Sequence, residues 1–115
     1  MEDEQFWVRL DEFVASHRIR VDRPKGLSYP EEPDLVYPLD YGFLEGTLSG
    51  DGAEVDVWVG SLSGGTVTGL LVTVDEKKHD AELKVLVGCT REEARQVLAI
   101  HNCGMQSAIL VQRAT

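Results

Sequence analysis

A short alternating segment between two glycine-rich turns constrains the fold more than any other feature of the chain. Val55, Val57 and Val59 alternate with polar or large residues, which is the two-residue period of a half-buried β-strand. The sequences on either side, Ser49-Gly50-Asp51-Gly52 and Ser63-Gly64-Gly65, are typical of turns. Short strands separated by glycine turns favour a small barrel over a parallel sheet.

Other segments also have the character of β-strands. In the first of them we expect Ile19 and Val21 to face the core. Prolines exclude regular structure over most of residues 23–37, and long irregular segments of this kind are often binding loops. A polar hairpin at residues 76–79 joins two longer strands. The predicted strands are Arg18–Asp22, Thr66–Val74, Ala81–Val87 and Ala108–Val111.

Two helices complete the prediction. Phe6, Trp7, Leu10, Phe13 and Val14 recur at helical spacing, so the first helix presents an aromatic stripe, for which packing on the core is favoured over a partner's groove. Thr90-Arg91-Glu92-Glu93 has the form of a capping box, and the second helix should begin there and end near residues 102–104. We therefore predict a mainly β fold: a five- or six-stranded barrel with an N-terminal and a C-terminal helix.

Composition limits the classes of function. The chain has 115 residues, which fits one domain over residues 1–115, and a formal net charge of −9. An acidic protein binds nucleic acid or an anionic membrane poorly because the charges repel, so we expect neither as a partner. The start of the chain does not have the pattern of a secretory signal, and Cys89 and Cys103 lack zinc-like spacing to histidine. A cytoplasmic location with unpaired thiols is the simplest expectation.

The acidic side chains of the middle of the chain suggest a metal site. Asp51 lies in a glycine turn and Asp56 on the polar face of the next strand, while Asp75 and Asp80 bracket the polar hairpin. If these carboxylates meet at one end of the barrel, they repel one another unless a cation lies between them. Oxygen ligands with open positions suit Mg²⁺ or Mn²⁺. The alternative is that the aspartates are ordinary turn residues.

The order of motifs in this region resembles that of the family I soluble inorganic pyrophosphatases. The residues that carry the resemblance are Tyr37-Pro38-Leu39-Asp40-Tyr41-Gly42, then Asp51-Gly52 followed by Asp56-Val57-Trp58-Val59, and downstream Asp75-Glu76 with Asp80-Ala81. The resemblance covers roughly Ile19 to Val87. It implies a small β-barrel of the oligonucleotide-binding-fold type and a metal-dependent hydrolysis of pyrophosphate, or of a related phosphoanhydride, to phosphate.

The same resemblance implies roles for individual residues. Asp51, Asp56, Asp75 and Asp80 match metal-binding aspartates, which makes Mg²⁺, or Mn²⁺, the expected cofactor. Tyr41 matches a tyrosine beside the attacking water, and we take it with Asp56 and Glu54 as catalytic. The residues expected to bind substrate are Tyr37, Arg23, Lys25 and Lys84. Members of the family commonly form oligomers, so a homo-oligomer is expected.

Several positions depart from the family's pattern. Its middle aspartate beside the water is Ala53 here, and Glu54 replaces it only if the turn is bent differently. Its phosphate-binding lysine is Glu82, with Lys84 two residues on as the candidate substitute. A glutamate of the family's first strand is Arg20 here. The family's arginine shortly before the tyrosine-proline motif has no clear counterpart, so Arg23, Lys25 or Arg18 is left to supply positive charge.

The late tyrosine-lysine pair of the family is absent, and His101 is expected to be a surface histidine near the end of a helix. These losses support a second hypothesis, in which the chain is a catalytically impaired barrel that serves as a binding or assembly module. A third, nucleic-acid binding, is disfavoured by charge.

Overall fold

The computed structural model describes residues 3–114, which form six strands and two helices. The predicted mainly β fold with an N-terminal and a C-terminal helix is confirmed. The elements in chain order are α1 (Glu4–Ala15), β1 (Ile19–Arg23), β2 (Asp40–Leu44), β3 (Val55–Val59), β4 (Val67–Asp75), β5 (Asp80–Val87), α2 (Arg91–Ile100) and β6 (Gln106–Gln112).

All six strands belong to one sheet in the order β1-β2-β3-β5-β4-β6. Neighbouring strands are antiparallel except β3 and β5, which run parallel. Within the described residues the sheet stays open, so the predicted closure into a barrel is wrong. The physical reason is that β6 pairs with β4 from Gly69 to Asp75, so β4 is not available to the second edge of β1.

Each helix packs on a different face of the sheet and so makes its own hydrophobic core. Trp7 and Val14 of α1 pack with the buried residues of one face, among them Val57 and Val85. Ala94 and Val97 of α2 pack on the other face. An ion pair ties α1 to the end of the chain, because Arg113 Nη1 donates to both carboxylate oxygens of Asp11, at 3.0 and 2.9 Å.

The aromatic stripe of α1 is only partly used in this packing. Trp7 is 7% exposed, whereas Phe6 is 49% exposed and makes an edge-to-face contact with it. In β1, Val21 lies on the same face as Ile19, because their partners Gly42 and Leu44 are two residues apart, but Val21 is 42% exposed, so the expectation that it faces the core is wrong. β1 is an edge strand, and a β-bulge between Val21 and Arg23 interrupts its pairing with β2 directly after this residue.

The second helix begins as predicted. The Thr90 hydroxyl accepts from the amide of Glu93 at 3.1 Å, and the Glu93 carboxylate accepts from the amide of Thr90 at 2.9 Å, which completes the capping box. The two cysteines are free, with Cys89 buried and Cys103 exposed. Neither helix of residues 3–114 has the length and hydropathy that crossing a membrane requires.

Candidate active site

Lys84 lies at the centre of a polar group on the sheet face that α2 partly covers, which we call the site face. Its Nζ donates to the Tyr41 hydroxyl at 2.8 Å, to Asp56 Oδ2 at 2.9 Å and to Glu82 Oε1 at 3.4 Å. The three N–H groups of the ammonium therefore have three acceptors. The Lys84 side chain is only 7% exposed, so the ammonium is held beneath the carboxylates rather than in solvent.

The register of the sheet brings these side chains together. Asp56 of β3 lies opposite Lys84 of β5 in the parallel pair. Glu82 is two residues before Lys84 on the same strand, and residues two apart point to the same face. Tyr41 of β2 lies opposite Trp58, two residues after Asp56, and its hydroxyl donates to Asp56 Oδ2 at 2.7 Å.

This environment changes the acidity of two of these groups. Burial, followed by the negative charge of Asp56, raises the pKa of Tyr41 far above its ordinary value. Tyr41 therefore stays a phenol that donates to Asp56 while accepting from Lys84. Burial raises the pKa of the Glu82 carboxyl; the Lys84 ammonium opposes this and Asp56 adds to it. The charged form of Glu82 is thus disfavoured unless more positive charge arrives.

An acidic triad made of Asp51, Asp80 and Glu82 lies beside Lys84. One carboxylate oxygen from each residue lies within 4.8 Å of the others. Asp51 is held in its turn by a hydrogen bond that its Oδ1 accepts from the amide of Ala53 at 3.0 Å. Three convergent oxygen donors fit a hard divalent cation such as Mg²⁺ or Mn²⁺, and the donors include two of the predicted metal aspartates.

The structure places the other two predicted metal aspartates differently. Asp56 binds Lys84 and Tyr41, as described above, and lies outside the triad. Asp75 lies opposite Asp80 at the end of the β4–β5 pair, as the hairpin predicted. Its Oδ1 accepts from the amides of Lys77 and Lys78, at 3.0 and 3.1 Å, so one carboxylate oxygen caps the hairpin turn.

Three other residues predicted to be catalytic or to bind substrate lie outside both the Lys84 group and the acidic triad: Glu54, Arg23 and Lys25. The Glu54 carboxylate accepts from the amide of Gly46 at 3.2 Å and is not part of the acidic triad. Arg23 lies opposite Tyr41 in the β1–β2 pair, so the two residues project from the same side of the sheet. Lys25 is exposed and its backbone amide donates to Asp40 Oδ1 at 2.8 Å. Arg23, the last residue of β1, is therefore the predicted basic residue that the sheet places next to Tyr41.

Tyr37, the predicted substrate-binding tyrosine, belongs to a row of aromatic rings. It stacks on Tyr29 with ring centroids 4.3 Å apart, and its centroid is 6.1 Å from that of Tyr41. Tyr41 in turn packs on Trp58 at 4.5 Å. Offset and tilted rings at these separations contribute favourable contact beyond the buried area. The row fixes the position of the Tyr41 ring, and with it the hydroxyl that contacts Asp56.

His101 is a part of this region that the sequence did not reveal. It is 8% exposed, and its Nε2 accepts from Trp58 Nε1 at 3.1 Å, so the expectation of a surface histidine is wrong. Burial lowers the pKa of His101 to about 4. The β6 strand that follows α2 explains the error. Its first residue, Gln106, covers the imidazole, with Oε1 3.2 Å from His101 Nδ1.

A groove of about 1010 Å³ lies next to the hairpin end of the site. Residues 29–38 form one wall, and the end of α2 with the start of β6 forms the other. Asp75 and Lys77 belong to its lining, so the groove and the site share the β4–β5 hairpin. The irregular segment that the prolines predicted is therefore next to the candidate site.

In sequence, the chain is similar to an inorganic pyrophosphatase of Thermus thermophilus. The two are 34% identical over an alignment of 98 residues, which spans 67% of this chain and 54% of the relative. The chain thus spans about half the length of the curated relative that it matches. No protein-family model matches the chain.

Two solved structures share the fold. The chain superimposes on an inorganic pyrophosphatase of Helicobacter pylori with a TM-score of 0.57, at 14% identity, covering 82% of this chain and 81% of that one. For an inorganic pyrophosphatase of Neisseria gonorrhoeae the TM-score is 0.54 at 18% identity, covering 84% and 75%. The resemblance drawn from the motifs is confirmed by these similarities.

Proposed function

We propose that this chain, a divergent relative of the soluble inorganic pyrophosphatases, hydrolyses pyrophosphate or a related phosphoanhydride to phosphate with the help of a divalent metal ion. The observation that carries the proposal is the geometry of the site face. Asp56, Tyr41 and the acidic triad meet on one side of the sheet, next to a solvent-accessible rim. Similarity to pyrophosphatases over two thirds of the chain supports the reaction class.

The acidic triad is the part of the site that would hold the ion. Its donors are carboxylate oxygens, which suit Mg²⁺ above softer metals, and Mn²⁺ is the alternative. A bound divalent cation would neutralise phosphate oxygens and lower the pKa of a coordinated water. The unfavourable charge on Glu82 would also be relieved by such an ion, because opposite charge stabilises a buried carboxylate.

The chain's own residues supply the remaining functions. Asp56 Oδ2 is used by Tyr41 and Lys84, and within residues 3–114 its Oδ1 accepts no hydrogen bond from protein. That free oxygen is the candidate base that takes a proton from water. Tyr41 and Lys84 hold the carboxylate in place. Arg23, aligned with Tyr41 across β1 and β2, is positioned to pair with a phosphate oxygen at the rim.

A second function has an observation in its favour. Lys84 already neutralises Asp56, and Glu82 places negative charge where the family's motif has a phosphate-binding lysine. Losing one group that stabilises the transition state typically lowers the rate by about 10²–10³. A chain that lost several would keep the fold as a binding or assembly module and hydrolyse little.

Release of phosphate distinguishes the two functions. The wild-type chain is incubated with pyrophosphate and Mg²⁺, and free phosphate is measured over time. Asp56→Asn keeps the shape but removes the base, and we expect it to lower the rate at least about 100-fold. Asp3→Asn, an exposed residue at the start of α1 on the opposite face, is the matched control and should leave the rate unchanged. Equal release from the wild type and Asp56→Asn contradicts the proposal.

The remaining expectations stay predictions that accompany the proposed function. They are a single domain over residues 1–115, a cytoplasmic location and assembly into a homo-oligomer. For the last of these, the α1 face of the sheet leaves Val72, Val74 and Ile109 exposed by 41%, 49% and 63%. Exposed apolar surface of this kind is typical of interfaces. Sedimentation of the wild type against Ile109→Ser tests it, and a monomeric wild type contradicts it.

A further inference from the structure

We propose that the Lys84 ammonium is a built-in cation that serves Asp56 in place of a divalent ion, so that the site holds one metal ion, at the acidic triad. This inference rests on the proposed function, because it concerns the metal that the function needs. It also makes Lys84 the ionic partner of Asp56, which the sequence analysis expected to be a metal ligand. The number of bound ions is therefore what distinguishes the two views.

The hydrogen bonds of Lys84 carry the first step. All three N–H groups of the ammonium have an acceptor in Tyr41, Asp56 or Glu82. The lysine side chain is 7% exposed, against 29% for Asp56 and 16% for Glu82. The positive charge therefore lies deeper than the carboxylates that it serves, and an ion arriving from solvent meets the carboxylates from the outer side.

The charges around Asp56 carry the second step. Asp56 Oδ2 accepts from Lys84 and from Tyr41 at once, so this oxygen is taken. A dication bound to the same carboxylate would lie a few ångströms from the ammonium, and like charges at that distance repel strongly where water is scarce. Hydrogen bonding occupies only Oδ2, so it is the charge of the ammonium that opposes a second ion at Asp56.

The acidic triad contrasts with Asp56 in this respect. Among residues 3–114, neither Asp51 nor Asp80 forms an ion pair with a basic side chain. Lys84 contacts only Glu82 of the three, and at the longer distance of 3.4 Å. The negative charge of Asp51 and Asp80 is left for an ion, while that of Asp56 is already balanced.

The experiment counts bound Mn²⁺ by titration calorimetry and by the loss of the free-ion signal in electron paramagnetic resonance. We expect the wild type to bind one ion per chain. Lys84→Met, which keeps the length of the side chain but removes its charge, should open the position at Asp56 and bind two. Two ions in the wild type, or a single ion in Lys84→Met, would overturn the inference.

A second pair of variants decides the matter without changing the lysine. Asp51→Asn should weaken Mn²⁺ binding by about tenfold or more, whereas Asp56→Asn should leave the affinity within about threefold. Loss of the ion from Asp56→Asn would show that Asp56 is a ligand and overturn the inference. One bound ion together with no phosphate release would keep the inference and reject the proposed function, so the two fail separately.

Discussion

The indole Nε1 of Trp58 donates a hydrogen bond to Nε2 of His101 at 3.1 Å, and this contact fixes the protonation of the imidazole. Because Nε2 accepts, the proton of the neutral ring lies on Nδ1, which then donates to Gln106 Oε1 at 3.2 Å. Trp58 also packs against Tyr41, with ring centroids 4.5 Å apart. A neutral histidine is therefore part of the support for the site's tyrosine.

The first prediction concerns pH. The pKa of His101 is lowered from 6.5 to about 4 in the folded chain, so the unfolded chain binds this proton more readily. The stabilising contribution is complete above pH 6.5 and is lost as the pH falls toward 4. We expect a loss of up to about 3 kcal/mol in the free energy of unfolding, measured by urea denaturation at pH 7, 5.5 and 4.

His101→Gln is the control for that measurement, because a glutamine oxygen can still accept from Trp58 but does not titrate in this range. Its unfolding free energy should fall less between pH 7 and 4 than that of the wild type, with other acidic groups responsible for the remainder. Parallel pH profiles of the two proteins would contradict the buried neutral histidine.

The second prediction concerns Gly42, which ends the tyrosine-proline motif. A Cβ added there would lie 1.9 Å from the carbonyl oxygen of Arg20, and this obstacle is backbone rather than a flexible side chain. Gly42→Ala must therefore push β1 away from β2, at a cost of about 2–4 kcal/mol by chemical denaturation.

Gly50→Ala is the matched control for Gly42. A Cβ at Gly50 meets nothing within 4 Å, so the change should stay within about 0.5 kcal/mol. Equal stability of Gly42→Ala and Gly50→Ala would mean that β1 does not approach β2 as closely as described.

Much of the fold could be predicted because its signals are local. The alternation of Val55, Val57 and Val59 is set within one strand of five residues. The capping box involves only Thr90 and Glu93, three residues apart. The open edge of the sheet could not be predicted in this way. Whether β4 pairs with β1 or with β6 depends on contacts between residues far apart in the chain.

The site was predictable in part for the same reason. Alternation along a strand places Glu82 on one face with Asp80 and Lys84, although comparison with the family's motif marks Glu82 only as a departure. The pairing of Lys84 with Asp56 needs the parallel register of β3 and β5. The burial of His101 depends on β6 packing beside α2, and no local sequence pattern predicts that packing.

The third prediction concerns Ala53, where the family's motif has an aspartate beside the attacking water. Ala53 is exposed and its amide binds Asp51 Oδ1, so a side chain can be added with little change in stability. If the chain hydrolyses pyrophosphate, Ala53→Asp should raise the rate of phosphate release at least about tenfold. Ala53→Asn has the same shape without the charge and should not. Equal rates for both variants would exclude a base at this position.

The fourth prediction concerns the coupling between Lys84 and Asp56. Removing one partner of a largely buried ion pair leaves the other charge without compensation. Lys84→Met should therefore lower the free energy of unfolding by about 2–3 kcal/mol, measured with a chelator present so that no metal ion binds Asp56. The loss is smaller than for a fully buried pair because Asp56 is 29% exposed. In the double variant with Asp56→Asn that uncompensated charge is gone, so about 1 kcal/mol or more of the loss should return.

The exposed pair of Arg95 and Glu92 provides the comparison for this cycle. Their side chains are 66% and 71% exposed and 3.5 Å apart, so Arg95→Met should change the unfolding free energy by less than about 0.5 kcal/mol. Urea denaturation of the wild type, Lys84→Met, Asp56→Asn and the double variant gives the coupling energy between Lys84 and Asp56. If the effects of Lys84→Met and Asp56→Asn simply add, the two groups do not interact, and Lys84 cannot be the cation that balances Asp56.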